Sequence, residues 1–285
     1  MAKLERHNNS LVANLFGLQL LRVWYHNHRL LRLREPGSES HSEEVEALLR
    51  DGVVVLQEFL PPAEFERVLR EFNLAWKEGL FDPKLKEATS VFQHDMNMEA
   101  YGNHCPAIME HFADNPLIRS IIAGAVGREF REKGGLYVRR YARSSTPVRA
   151  KRMVGVEYRH ADSHVPAYKA FYFLADSDEK NGALVYARGS QRMRAARLAF
   201  EYRTSIKFSW AKHRKLAYTV IPLGKLVTPT ARERRRMGIH ETPIPVKANT
   251  LVIFNTRGFH RQGRFTGERP RDLIFIEYSH VTRGV

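Results

Sequence analysis

From Gly135 onward the chain breaks into short β-compatible runs separated by turn residues, and no other feature limits its fold as much. The runs are Leu136–Tyr141, Met153–Tyr158, Ala167–Leu174, Ala183–Ala187, Ala217–Pro222, Thr250–Phe254 and Leu273–Tyr278. Many short strands with irregular turns predict an antiparallel sandwich or barrel, the jelly roll included. The predicted class is α+β, mainly β: a double-stranded β-helix core of the jelly-roll or cupin-like kind, with N-terminal and flanking helices. With 285 residues, 43% of them hydrophobic, the chain can bury one large core.

Upstream of Gly135 the pattern is mixed. Residues 43–50 read as a short helix and Gly52–Leu56 as a buried strand. Pro61-Pro62 opens a helix with Phe65, Val68, Leu69 and Phe72 on one face, since proline is favoured in a first helical turn. Residues 106–134 read as further helix. Pro36-Gly37-Ser38-Glu39-Ser40 punctuates the chain as a linker. This divides it into a basic helical extension with linker, 1–40, and a β domain, 41–285, interrupted by a basic insertion at about 191–248. In the extension, residues 7–34 hold no acidic residue, and Leu11, Leu15, Leu18 and Leu21 follow helical spacing. Such a helix either packs on the domain or lies as a basic amphipathic helix on an anionic membrane. A targeting presequence is the third reading.

The formal charge is +15. Much of the excess sits between residues 188 and 236, where fourteen lysines and arginines face only Glu201 and Glu233. Such a field attracts anions: nucleic acid, lipid headgroups or phosphorylated small molecules. No stretch reaches the roughly 20 apolar residues of a membrane span, and the best, Leu11 to Trp24, is broken by Asn14, Gln19 and Arg22. Cys105 is the single cysteine, which excludes a disulfide within the chain and a cysteine-rich zinc site. A reducing, cytoplasmic compartment is expected, with peripheral membrane contact as its variant.

His160-Ala161-Asp162 places an imidazole and a carboxylate at i and i+2. On an extended strand both face one side and can fill two corners of a metal coordination face. With a third ligand from elsewhere they would form the two-histidine, one-carboxylate triad that suits iron(II), leaving positions open for co-substrate and oxygen. His41-Ser42-Glu43 has the same spacing but lies in the linker with no strand around it. In a helical reading His164 would replace His160, and nearby Pro166 argues against that helix. His104, His111, His240 and His280 are read as ordinary core histidines bonded to backbone.

Around His160 and Asp162 the order of segments is informative. After the pair come the strand Lys169–Leu174, an acidic turn ending Asn181-Gly182, read as a hairpin signal, and a second strand running into Arg188-Gly189-Ser190-Gln191. Later comes the buried strand Thr250–Asn255, leading to His260, and eleven residues on is Arg271. This order resembles the phytanoyl-CoA dioxygenase family of iron/2-oxoglutarate oxygenases over roughly residues 50–280. The early stretch Asp51–Phe72 resembles that family's first strand and helix. The family's Pro-Gly-Ser-His is here Arg188-Gly189-Ser190-Gln191, a departure confined to a turn.

The resemblance implies that His160, Asp162 and His260 bind Fe(II) and that Arg271 pairs with the distal carboxylate of 2-oxoglutarate, with O2 as co-substrate. A planar guanidinium fork matches a carboxylate and keeps its charge. Arg269 is the nearby competitor for that role. Tyr141 and Gln262 are candidates for the inner carboxylate. The expected reaction is hydroxylation of a C–H bond, because Asp162 keeps the carboxylate that related halogenases lack. The expected substrate is a small anionic or acyl/lipid-type molecule, with the basic insertion as a lid. Two rival classes stand beside this one. The first is a nucleic-acid-binding or nucleic-acid-modifying protein, although no zinc-finger or helix-turn-helix signature occurs. The second is an inactive jelly-roll binding module, or a cupin-like enzyme working without 2-oxoglutarate.

Overall fold

The computed structural model describes residues 10–32, 42–85, 91–126, 131–143, 159–162, 167–214 and 228–279. The strands expected at Met153–Tyr158 and Ala217–Pro222, the linker at 36–40, His164 and His280 all lie outside them. In chain order the elements are α1 (Leu11–Leu15), α2 (Leu18–Arg32), α3 (Ser42–Asp51), β1 (Val53–Leu56), α4 (Pro62–Lys77), β2 (Asp82–Leu85), β3 (Val91–Asn97), α5 (Met98–Tyr101), α6 (Pro106–Phe112), α7 (Pro116–Val126), β4 (Arg131–Arg143), β5 (Ala167–Phe173), β6 (Leu184–Ala187), α8 (Ala195–His213), α9 (Ala231–Met237), β7 (Glu241–Ile244), β8 (Thr250–Asn255), β9 (His260–Gln262) and β10 (Arg271–Ser279).

Seven strands form one antiparallel sheet in the order β1-β8-β5-β10-β4-β3-β2, and three form a second, β7-β6-β9. The central strands of the large sheet are apolar on both sides because both sides are covered. Tyr168, Ala170 and Tyr172 of β5, Leu251 and Ile253 of β8, and Ile274 and Ile276 of β10 pack with α3, α4, α6 and α7. On the opposite face, Phe173, Val252, Phe254, Leu273 and Phe275 pack against Leu184, Tyr186 and Ile244 of the small sheet. The mixed α and β architecture is therefore a helical layer on a large sheet, with a small sheet on its other side.

Buried polar groups tie the layers together. Glu71 of α4 accepts from the backbone N–H of Ala107 and Ile108 at 2.8 and 3.0 Å, satisfying open donors in the first turn of α6. Asn249 accepts from the Tyr172 hydroxyl at 2.7 Å and exchanges bonds with the Leu60 backbone at 2.9 and 2.8 Å, pinning the entry of α4 to β8.

Several expectations need correction. The helix expected over 106–134 is two helices that end at Val126, and 131–134 already belong to β4. Asn181-Gly182 does not close a hairpin, because β5 and β6 lie in different sheets and the turn carries the chain from one to the other. The strands β2 and β3 were not expected; Gln93 and Asp95 make β3 read as polar, yet both are buried. His104 and His240 are exposed, and His111 sits beside Glu64 with its Nε2 3.0 Å from the carboxylate, so these three are not backbone-bonded core histidines.

The extension packs on the domain, with Leu11 and Leu18 half-buried and Val23 buried, while Leu15 and Leu21 of the same spacing face outward. Gly17, at φ +85°, divides it into α1 and α2, which pack on α8. Asn14 and Gln19 are fully buried, and the Asn14 amide donates to Ser209 Oγ of α8 at 2.6 Å. Leu15, Phe16, Leu21 and Trp24 face outward instead. The segment 188–240, holding α8 and α9, joins β6 to β7, which pair directly from Leu184↔Ile244 to Ala187↔Glu241.

Candidate metal centre

His160 and His260 are 100 positions apart, and one antiparallel bridge brings them together. The His160 N–H donates to the His260 carbonyl at 3.1 Å, and the His260 N–H to the His160 carbonyl at 2.9 Å. Residues opposed in this way project their side chains to the same side. The two imidazole centroids are 4.5 Å apart. The Asp162 N–H donates to the Thr256 carbonyl at 2.8 Å, which keeps residues 160–162 alongside the turn between β8 and β9. Asp162 therefore returns to the face of His160, with Oδ1 3.3 Å from His160 Nε2 and Oδ2 3.7 Å from His260 Nε2. One ligand atom from each residue lies within 4.8 Å of the others, and no other group of three or more potential ligands occurs among the described residues.

The turn before His260 is built for placement. Asn255 Oδ1 accepts from the Arg257 N–H at 3.0 Å, and Ser190 Oγ accepts from the Phe259 N–H at 2.8 Å. Gly258 has no side chain because the Tyr186 ring occupies the space a Cβ would take. The Gly258 carbonyl lies 3.0 Å from His260 Nδ1, and a carbonyl can only accept. Nδ1 therefore carries the hydrogen, leaving the Nε2 lone pair for a metal. Burial pushes the His260 pKa down to about 3, against the pull of Asp162, so the ring stays neutral and ligand-competent. Burial also opposes the charge of Asp162, but Lys169, His260 and His160 outweigh it and hold the carboxyl well below the usual carboxylate range.

Lys169 was not singled out in the sequence. Its Nζ lies 2.6 Å from Asp162 Oδ2, so one carboxylate oxygen is steadied by the ammonium while the other remains for a metal. The signal was present: a lysine alternating with Phe171 and Phe173 on the inner face of an apolar strand needs a partner. Arg139 is a second omission. It forks onto Asp95 at 2.6 and 3.2 Å, and Gln93 Nε2 backs both oxygens of that carboxylate at 2.9 and 2.7 Å.

His160 and His260 line a cavity of about 120 Å³ with Arg139, Tyr141, Lys169, Gln262 and Arg271, against walls of Phe171, Leu184, Phe254 and Phe275. Arg271 opens β10 directly opposite Tyr141 of β4, its guanidinium 4.3 Å from the tyrosine ring centre and 5.4 Å from that of Phe265. It is 4% exposed, donates through Nη1 to the Gly182 carbonyl, and has a buried Nε with no hydrogen-bond partner. Gly182 presents that carbonyl from a left-handed conformation, φ +79°, pressed against Phe265. Arg269 points elsewhere and pairs with Asp178 at 2.6 Å on the surface. Tyr141 thus stands beside Arg271, and Gln262 lines the same cavity.

No protein-family model matches the chain, and no curated protein sequence matches it. Solved structures do share its fold at low sequence identity. The epimerase SnoN, in complex with Fe3+, alpha-ketoglutarate (2-oxoglutarate) and nogalamycin RO, is 15% identical over 90% of this chain and 85% of its own, with a TM-score of 0.54. EctD from S. alaskensis, with 2-oxoglutarate and 5-hydroxyectoine, is 13% identical over 87% of this chain and 79% of its own, with a TM-score of 0.54. AviO1 from Streptomyces viridochromogenes Tue57 is 14% identical over 87% of this chain and 99% of its own, with a TM-score of 0.52. The chain has the same overall fold as these three proteins.

Proposed function

We propose that this protein is a mononuclear iron(II), 2-oxoglutarate-dependent oxygenase with a jelly-roll core, akin in its order of motifs to the phytanoyl-CoA dioxygenase family, and that it hydroxylates a small anionic substrate. One juxtaposition carries the reading: a triad of two imidazoles and a carboxylate and an arginine with an unused buried Nε face one small cavity. The donor set fits iron, since two nitrogens and a hard oxygen hold the metal without saturating it. The unused Nε, in a pocket where no described carboxylate pairs with Arg271, fits the distal carboxylate of 2-oxoglutarate. The ligands bound by SnoN and EctD support the same pair of cofactors.

In this reading His160, Asp162 and His260 hold the metal, which with 2-oxoglutarate and O2 supplies oxidative chemistry yielding hydroxylated product, succinate and CO2. The chain's own residues prepare that chemistry. Gly258 fixes the His260 tautomer, and Lys169 orients Asp162 while balancing its charge. Arg271 would anchor the co-substrate, and Tyr141 and Gln262, in the same lining, are the candidates for its inner carboxylate. Phe171, Phe254 and Phe275 give the cavity apolar walls, and because Arg139, Lys169 and Arg261 are each paired with a carboxylate, the attraction for an anionic substrate rests on the chain's overall charge of +15. With iron(II), ascorbate and 2-oxoglutarate in air, the protein is expected to form succinate slowly even without substrate. Metal binding with no succinate at any protein concentration would favour the cupin-like or inactive rival.

We also propose that α1 and α2 touch an anionic membrane surface. Val12, Leu15, Phe16, Leu21, Trp24 and Tyr25 are exposed there, with Trp210 exposed on neighbouring α8, and residues 7–34 hold no acidic residue. Co-sedimentation with phosphatidylserine vesicles is expected, falling at high salt and in a Phe16→Ser/Trp24→Ser variant. Equal binding to pure phosphatidylcholine, or none to either, overturns the idea.

A further inference from the structure

A second cavity lies outside the metal centre and shares no lining residue with it. It measures about 490 Å³ and is bounded by the end of α3, the turn after β6, the start of α8 and the end of α9. Seven guanidinium-bearing residues line it: Arg197 at its floor, and Arg50, Arg188, Arg192, Arg194, Arg235 and Arg236 around it. Among the described residues Asp51 is the single carboxylate in the lining, and it already engages Arg50 at 3.1 Å and Arg188 at 3.7 Å. Arg194, Arg235 and Arg236 are exposed and form no ion pair with any described residue.

The back wall is rigid. Arg197, 3% exposed, pairs with Glu201 at 3.0 Å, donates to the carbonyls of Ser190 and Arg257, and lies 4.0 Å over the Phe259 ring. It holds the floor, and the other arginines stand around it. The first turn of the 19-residue α8 opens on the cleft with no acidic residue in it, so its free N–H groups add positive potential.

Six like charges around one concavity repel one another, and a fold gains nothing from that arrangement unless an anion enters. Guanidinium forks match phosphate oxygens bidentately. The volume falls in the range of small-ligand sites, about 300–1,000 Å³, and a single orthophosphate would leave most of it empty. We infer that this cleft is a binding site for a small anion carrying two or more phosphate groups, separate from the metal cavity. The inference does not depend on the oxygenase reading. Phe259 forms the cleft wall and is adjacent in the chain to His260, so the two sites sit back to back across one turn.

The experiment is calorimetric titration of the full chain with inorganic orthophosphate, pyrophosphate and tripolyphosphate in about 0.15 M chloride, where unconfined surface charges are largely screened. One-to-one binding is expected, tightening from ortho- to pyro- to tripolyphosphate. A triple variant, Arg194→Ala/Arg235→Ala/Arg236→Ala, removes only exposed side chains that form no ion pair among the described residues; its thermal melt is expected to match wild type while affinity falls at least tenfold. Arg232→Ala, on the same short helix but outside the cleft, is expected to bind normally. Asp162→Ala is expected to retain binding, which separates the cleft from polyphosphate chelated at the metal centre. Absence of binding at millimolar pyrophosphate, equal loss in Arg232→Ala, loss in Asp162→Ala, or a single-stranded oligonucleotide binding more tightly than tripolyphosphate would each overturn the inference.

Discussion

Asp162→Ala protein is expected to emerge from desalting without iron and to form no succinate. It should still fold, with a lowered melting temperature, because the largely buried Lys169 ammonium loses its ion pair. The metal loses its anionic ligand, and the cavity loses the charge that balances Lys169 at 2.6 Å. Lys169, left without its carboxylate, and Arg271, which pairs with no described carboxylate, then line the site, so the remaining field repels a cation. Loss of an outer-shell partner alone costs roughly 10–100-fold in metal affinity, and removing a ligand should exceed that range. Iron content by elemental analysis checks the result. Stoichiometric iron in the variant would show that the cation sits elsewhere.

Arg271→Ala is expected to behave differently: iron is retained, and the 2-oxoglutarate dissociation constant rises by roughly a hundredfold, as expected for losing about two charge-assisted hydrogen bonds. Arg271→Lys should recover only part of this, because an ammonium lacks the planar fork and cannot lie along the Tyr141 ring in the same way. The readout is paired titration of iron and of 2-oxoglutarate on the same variant. Equal loss of both affinities would mean that Arg271 only supports the cavity wall.

Much of the architecture was legible because burial writes itself into strands. Residues 251–254 are apolar without alternation, and all six residues of β8 are buried, since the strand is covered on both faces. The His-x-Asp pair could be placed on one face from spacing alone. The partnership with His260 could not, because it depends on a bridge across a hundred residues; only the order of motifs suggested it. Lys169 and the Gln93–Asp95–Arg139 network stayed hidden for a related reason. A buried charge reads as a solvated one until its partner is known. The helix α8 escaped notice because its buried positions include Arg197, Glu201, Thr204, Ser205 and Ser209, so no apolar stripe marks it. The extension misled in the opposite sense, burying Asn14 and Gln19 against that polar helix and turning Leu15 and Leu21 outward.

Anaerobic titration of the purified protein with iron(II), followed by 2-oxoglutarate, bears most directly on the central idea that His160, Asp162 and His260 share one cation and leave room beside it. One iron per chain is expected, with a weak visible charge-transfer band that appears only when both are present. A band that persists in His260→Ala protein, or none in wild type at saturating iron and 2-oxoglutarate, would contradict it.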